Sequence, residues 1–314
     1  MKVIVHTDQA DQWQQALSER LPDATIWKSQ ETDREQRAQA DFLAAWKPDE
    51  TLLRECTGLK GIVNLGAGVD ALLGNPALPR DVPIVKLRDA GMAELIADYV
   101  RYGLFHFQRD FDRYARQQQQ CEWREHEVID KPDWEVGVLG LGAIGAKVAS
   151  AIAADGFPVL GWSRSQKDID DIECLSGDEG LDQLLSRVKT LVLLLPDTSS
   201  TRHIINAETL GKMREGASLI NPGRGTLIDE DALLAALGDK DQRQEGSLRG
   251  ALLDAFPTEP LPQSSPLWRH PRVIVTPHMA GPTPLSEALD QVASSLDALN
   301  KGEDIETVDP DAGY

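Results

Sequence analysis

Short apolar and β-branched runs alternate along the chain with longer stretches in which apolar positions recur at helical spacing. Lys2–His6, Ala24–Trp27, Gly61–Leu65 and Pro83–Leu87 read as strands in the first part of the sequence. A second series reads at Glu135–Leu139, Pro158–Gly161, Thr190–Leu195, Ser218–Asn221, Gly250–Asp254 and Val273–Thr276. Gln9–Arg20, Ala143–Asp155, Leu181–Val188, Ala207–Met213 and Glu230–Leu237 carry the helical period between them. Continuous apolar strands alternating with helices predict parallel sheets covered on both faces. Two such series predict two Rossmann-like, doubly wound α/β domains.

Between the series, Met92–Gln120 has no proline and only Gly103 in its interior, and its aromatic residues are spread around the helical period. It reads as one long, largely buried helix joining the domains. Pro284–Lys301 is a further helix, too late to extend the second sheet and able to return to the first domain. The expected division is therefore residues 1–97 with 285–314, and 98–284. Gly238–Ser247 is polar and charged and reads as an exposed loop or a frayed helix end.

Composition narrows the function. The 314 residues are 41% hydrophobic and 26% charged, which is ordinary for a globular protein. No apolar run approaches the roughly 18–20 residues of a membrane helix, and Met1–His6 reads as a strand, not a secretory leader. The net charge of −19 repels phosphate backbones, so neither nucleic acid nor a membrane is an expected partner. Cys56, Cys121 and Cys174 are an odd number without close spacing, which fits a reducing cytoplasm. Without HxxxH, HExxH or CxxC spacing, no metal is expected, and without GxSxG the usual serine-hydrolase elbow is missing.

The candidate chemistry begins at Gly140-Leu141-Gly142-Ala143-Ile144-Gly145, between a strand and a helix. In that setting Gly140 permits a tight turn, Gly142 lets backbone approach a pyrophosphate, and Gly145 allows close helix–strand packing. A tight turn without ligand is the plainer alternative. An NAD-specific site would place an acid about 20 residues later, on the ribose hydroxyls. Here the next strand ends in Trp162-Ser163-Arg164-Ser165, with no acid before Asp168. Arg164 between two hydroxyls suits a ribose 2′-phosphate, hence NADP(H) preferred with NAD(H) possible; a solvated loop arginine is the alternative.

Three later strands run into unusual polar groups: Asn221-Pro222-Gly223-Arg224, Asp254 through Glu259-Pro260, and Pro277-His278-Met279-Ala280-Gly281. Ligands sit beyond the carboxyl ends of strands in open parallel sheets, so Arg224, Glu259 and His278 are expected to converge. Together they are what a 2-oxo acid reductase needs. The arginine holds the carboxylate and polarises the carbonyl, the imidazolium gives a proton, and the carboxylate orients the imidazolium and favours its charged form.

The order GLGAIG, NPGRG, DAFPTEPLP, TPHMAG resembles the D-isomer-specific 2-hydroxyacid dehydrogenases along essentially the whole chain. Leu65–Asp70, Arg88–Met92, the segment Trp162–Ser165 and the ending Val308-Asp309…Gly313-Tyr314 are similar to its glyoxylate/hydroxypyruvate reductase A subfamily. The resemblance implies a flavodoxin-like substrate domain beside a dinucleotide-binding domain. It implies Arg224, Glu259 and His278 as the catalytic set, with backbone amides of Ala67 and Gly68 on the substrate carboxylate and Trp46 and Met92 near the substrate. Trp46 as a plain core aromatic is equally open. Around the cofactor the resemblance implies Gly140, Gly142, Ala143, Ile144, Gly145, Ser163, Arg164, Ser165, Leu195, Pro196, Pro222, Gly223, Asp254 and Gly281, with Asp254 at the carboxamide. It further implies a homodimer involving the helix that starts at Met92.

The expected activity is NADPH-dependent reduction of small 2-oxo acids, glyoxylate to glycolate and hydroxypyruvate to D-glycerate. A broad-specificity D-2-hydroxyacid dehydrogenase and a non-catalytic NADP-binding regulator on the same fold are the alternatives.

Overall fold

The computed structural model describes residues 1–238, 246–310 and 312–313. The expected loop Gly238–Ser247 falls mostly outside the described residues, as does Tyr314. The chain divides into two compact units, Met1–Gly91 with Thr283–Tyr314, and Met92–Pro282.

The first unit alternates β1 (Lys2–His6), α1 (Ala10–Arg20), β2 (Thr25–Lys28), α2 (Arg34–Ala38), β3 (Phe42–Ala45), α3 (Glu50–Glu55), β4 (Gly61–Asn64), α4 (Asp70–Leu73) and β5 (Ile84–Lys86). All its strand pairs are parallel, in the order β2-β1-β3-β4-β5, the flavodoxin-like arrangement. Ile4, Leu43 and Ile62 from adjacent strands form its core with Leu52, Leu53 and Leu72.

The second unit opens with α5 (Met92–Gln108) and α6 (Phe111–Gln119). It continues through β6 (Val136–Leu139), α7 (Ala143–Ala154), β7 (Val159–Ser163), β8 (Ile172–Ser176), α8 (Gly177–Arg187), β9 (Thr190–Leu193), α9 (Ala207–Lys212), β10 (Ala217–Asn221), α10 (Glu230–Leu237), β11 (Leu248–Leu253) and β12 (Val273–Val275). Its seven parallel strands run β12-β11-β10-β9-β6-β7-β8. This is the Rossmann order with one added strand, and the order in which strands are laid down reverses between β6 and β9. A last helix, α11 (Leu285–Lys301), belongs to the first unit, where Leu299 closes on Gly61 of β4 and Arg20 of α1 pairs with Asp290 at 2.7 Å.

Three expectations are corrected. Met92–Gln120 is two helices, because Asp110 takes a left-handed conformation (φ 58°) between α5 and α6. That break lets Asp110 and Asp112 both reach the guanidinium of Arg249, with Asp112 Oδ2 3.0 Å from Nε. The unit boundaries fall at Gly91/Met92 and Pro282/Thr283, not 97/98 and 284/285. Residues 92–97 are the first turns of α5 and pack within the second unit, where Ile96 abuts Gly281; Pro284 packs against Gly91 in the first. Finally, β3 and β8 are strands that the hydropathy pattern missed.

Candidate active site

The glycine loop lies where β6 and β9 diverge. Gly140 has φ +107°, and a Cβ there would press on the Leu194 carbonyl. A Cβ at Gly145 would stand 1.8 Å from the Gly140 oxygen, so α7 starts as close to the strand as backbone permits. At Gly142, by contrast, nothing lies within 4 Å of a built Cβ, and Gly142 and Ala143 are exposed. The first turn of α7 carries no acid, and its amides receive no side-chain cap. An open backbone cradle at an uncapped positive helix end fits the pyrophosphate of a dinucleotide.

β7 runs to Ser163, and Arg164 and Ser165 are exposed in the loop beyond it. The Ser163 hydroxyl donates to the Ser165 carbonyl at 2.7 Å, so it shapes the loop instead of offering its proton outward. Gln166 ties the following residues to β8 through the Cys174 carbonyl and the Ser176 hydroxyl, at 2.9 Å each.

The three polar loops meet as their strands end. Asn221, fully buried, donates to the Arg224 carbonyl (3.0 Å) and accepts from the Gly223 amide (3.1 Å), which builds the turn through Pro222. A Cβ at Gly225 would lie 2.0 Å from the carbonyl carbon of Phe256, so the arginine turn rests directly on the loop carrying Glu259. Glu259 Oε1 accepts from the Phe256 amide at 3.0 Å. His278 Nδ1 sits 2.9 and 2.8 Å from the two Glu259 oxygens, with both side chains partly exposed. With Nδ1 donating to the carboxylate, Nε2 is the nitrogen left for chemistry. Arg224 Nη1 donates to the Gly223 carbonyl at 3.0 Å.

Around these, Pro222, Gly223 and Leu195 are buried, and the carbonyl of Pro196 accepts from Thr201 Oγ1 at 2.6 Å. Asp254 is fully buried and accepts from Thr276 Oγ1 (2.6 Å), the Met279 amide (2.8 Å) and the Ala280 amide (2.8 Å). Its first task is thus to hold the histidine loop, which the sequence reading missed. Met92 is 5% exposed at the start of α5.

Ala67 and Gly68 belong to the first unit, in the loop after β4. Buried Asn64 fixes this loop by donating to the carbonyls of Gly66 (2.7 Å) and Gly68 (2.9 Å). Asn64 also escaped the sequence reading; a buried amide just before a glycine turn was the available signal. The Trp46 indole lies on Gly66, where a Cβ would come within 2.3 Å of its ring, and stays 37% exposed. A plain core aromatic would be covered. Lys47 Nζ stands 5.5 Å above the same ring. Among the described residues, no cluster of His, Cys, Asp and Glu is arranged to hold a metal, and no helix is long and apolar enough to cross a membrane.

The family model for "D-isomer specific 2-hydroxyacid dehydrogenase, NAD binding domain" matches residues 102–280. A glyoxylate/hydroxypyruvate reductase A of Serratia proteamaculans is 40% identical over 299 residues, covering 94% of this chain and 93% of the relative. That of Citrobacter koseri is 39% identical, covering 96% of each. Among solved structures, a D-isomer specific 2-hydroxyacid dehydrogenase from Xanthobacter autotrophicus Py2, in complex with NADPH and MES, superposes with a TM-score of 0.91 at 35% identity over 99% of both chains. An NADPH-dependent glyoxylate/hydroxypyruvate reductase from Sinorhizobium meliloti, in complex with NADP and sulfate, gives 0.90 at 33% identity, covering 100% of this chain and 99% of that one. The glycine cradle, the Arg–Glu–His loops and these relatives agree: the chain belongs to the D-isomer specific 2-hydroxyacid dehydrogenase family and is an NAD(P)-dependent dehydrogenase of that kind.

Proposed function

We propose that this enzyme reduces small 2-oxo acids with NADPH, glyoxylate to glycolate and hydroxypyruvate to D-glycerate. The observation that carries the reading is the Glu259–His278 pair, with one imidazole nitrogen fixed by a carboxylate and the other left to the substrate. A nicotinamide dinucleotide held at the glycine loop would supply the hydride chemistry. His278 Nε2 gives the proton to the carbonyl oxygen, while Glu259 holds the ring by Nδ1. Arg224 takes the substrate carboxylate and draws electron density from the carbonyl. In the same reading the amides of Ala67 and Gly68 and the side chain of Trp46 are the substrate-binding groups of the first unit, and Met92 is one of the second. Arg164, with Ser165, takes the ribose phosphate, and Asp254 keeps a lone pair for the carboxamide. Relatives at this level of identity include an NADPH-dependent glyoxylate/hydroxypyruvate reductase, which supports both cofactor and substrate. The family's homodimer is part of the proposal, and exposed Tyr102, Phe111 and Trp123 are apolar residues such an interface would cover.

A matrix of initial rates tests it, with NADPH and NADH against glyoxylate, hydroxypyruvate and phenylpyruvate. The expected maximum is NADPH with one of the two small acids. Faster turnover of phenylpyruvate would point to the broad-specificity alternative. NADPH binding without turnover of any oxo acid would point to a binding-only protein.

A further inference from the structure

We infer that Tyr99 is a positioning residue for the acid–base histidine, acting through Thr276 and Asp254. The inference rests on the reading of His278 as proton donor. Tyr99 projects from α5, one turn after Ile96, which packs against Gly281 at the far end of the histidine loop. The two residues are on one helix face, so α5 backs this loop along its length.

The Tyr99 hydroxyl lies 2.7 Å from Thr276 Oγ1, and Thr276 Oγ1 lies 2.6 Å from Asp254 Oδ1. A threonine hydroxyl has one proton. Because Thr276 gives it to the carboxylate, Tyr99 must be the donor in the first bond. Burial pushes the Tyr99 phenol up, so it keeps the proton it donates at any pH where the enzyme works. The relay ends on a carboxylate whose remaining bonds all go to the loop. Asp254 Oδ1 accepts the Met279 amide, Oδ2 accepts the Ala280 amide, and its own carbonyl accepts the His278 amide at 2.9 Å.

His278 itself has φ +51°, a left-handed conformation uncommon for residues other than glycine. The His278 amide is held by the Asp254 main-chain carbonyl, and the next two amides, of Met279 and Ala280, are held by the carboxylate. A carboxylate with freedom to rotate would release those two and leave the chain after His278 unanchored. Thr276 and Tyr99 remove that freedom by fixing Oδ1, and a helix outside the catalytic loops thereby sets where His278 points. None of this adds a group to the reaction. It fixes the angle of the one that transfers the proton.

The test uses Tyr99→Phe, Thr276→Val and Thr276→Ser in the full-length protein, read in two ways. Steady-state kinetics with the best oxo acid should show kcat reduced about fivefold in Tyr99→Phe, the kinetic equivalent of one net hydrogen bond. Thr276→Val should lose more, Thr276→Ser should retain most of kcat, and adding Tyr99→Phe to Thr276→Val should cost nothing further. The second reading is the imidazole Cε1–H resonance of His278 in labelled protein, assigned through His278→Asn. It should shift or broaden in Tyr99→Phe and Thr276→Val, and stay in place in Thr276→Ser, while that of His6 in the first unit stays in place throughout. This arm needs no substrate, so failure of the proposed reaction and failure of the relay are distinguishable. An unmoved His278 resonance in Tyr99→Phe would overturn the inference. So would additive losses in the double variant, or a Thr276→Ser as impaired as Thr276→Val.

Discussion

Glu259 grips His278 by a single ring nitrogen, with Nδ1 within 2.9 Å of both carboxylate oxygens. The carboxylate is itself anchored, since its Oε1 also accepts the Phe256 amide. A carboxylate held at its own loop can orient the imidazole but cannot follow it. The tautomer is therefore fixed, with the proton on Nδ1 and Nε2 left outside the carboxylate's grip.

His278→Asn should therefore lower kcat by roughly 10²–10⁴, the usual worth of a positioned proton donor, and leave dinucleotide affinity nearly unchanged. Glu259→Gln should cost less, because an amide oxygen can still accept from Nδ1 but the bond is no longer charge-assisted. Fluorescence titration with NADPH, beside initial rates, separates the two effects. Near-full turnover by His278→Asn would refute the assignment.

Much of this site was legible because each part is local. The glycine loop, the arginine turn and the histidine loop are each contiguous, and parallel-sheet topology brings strand ends together. What escaped reading depends on distant partners. Asp110 carries no helix-breaking signal, yet it leaves the helix to meet Arg249, which is 139 residues away. Tyr99 finds Thr276 across 177 residues. β3 reads Phe-Leu-Ala-Ala, wholly buried but without a β-branched residue, and β8 is a half-exposed edge strand. Neither carries the composition that marks a strand from sequence alone.

Two glycines should respond oppositely to alanine. In Gly145→Ala the new Cβ would meet the Gly140 oxygen at 1.8 Å, with backbone on both sides of the clash. Overpacking of this kind costs about 1–3 kcal/mol, and here it also opens the phosphate loop, so Tm and NADPH affinity should fall together. Gly211 sits inside α9 with nothing within 4 Å. Gly211→Ala should stabilise by about 0.4–1 kcal/mol through helix propensity and a less flexible unfolded chain. Thermal melts with and without NADPH check both, and an unaffected Gly145→Ala would mean the loop relaxes freely.

Cys56 supplies a pH-dependent part of stability. Burial at the end of α3 pushes its thiol up to about 11. The folded state thus holds the protonated thiol, whereas the unfolded chain loses the proton near 9.0. The stabilisation is fully present below pH 9 and is lost as pH rises to about 11, amounting at most to about 2–3 kcal/mol. Urea unfolding of wild type and Cys56→Ala across that range should show their difference shrinking with pH. A constant difference would mean that the unfolded thiol is equally protected.

Cofactor choice tests the loop after β7. NADPH and NADH differ only by a phosphate on the adenosine ribose, far from the reacting carbon, so discrimination must arise beside that ribose. An acid there would bind two ribose hydroxyls and repel the phosphate; this chain has exposed Arg164 instead. A guanidinium grips phosphate in a bidentate, charge-assisted manner, and such bonds contribute on the order of 1.5–3 kcal/mol. That corresponds to about a ten- to hundredfold preference for NADPH in kcat/KM. With Ser163 donating into its own loop, Ser165 is the hydroxyl left to assist. The overall charge of −19 disfavours any phosphate, which increases the need for a cation at this spot. Arg164→Ala should raise KM for NADPH by that factor and leave KM for NADH and kcat with either cofactor almost untouched. Equal use of NADH and NADPH by the unaltered enzyme would show that Arg164 does not touch the phosphate.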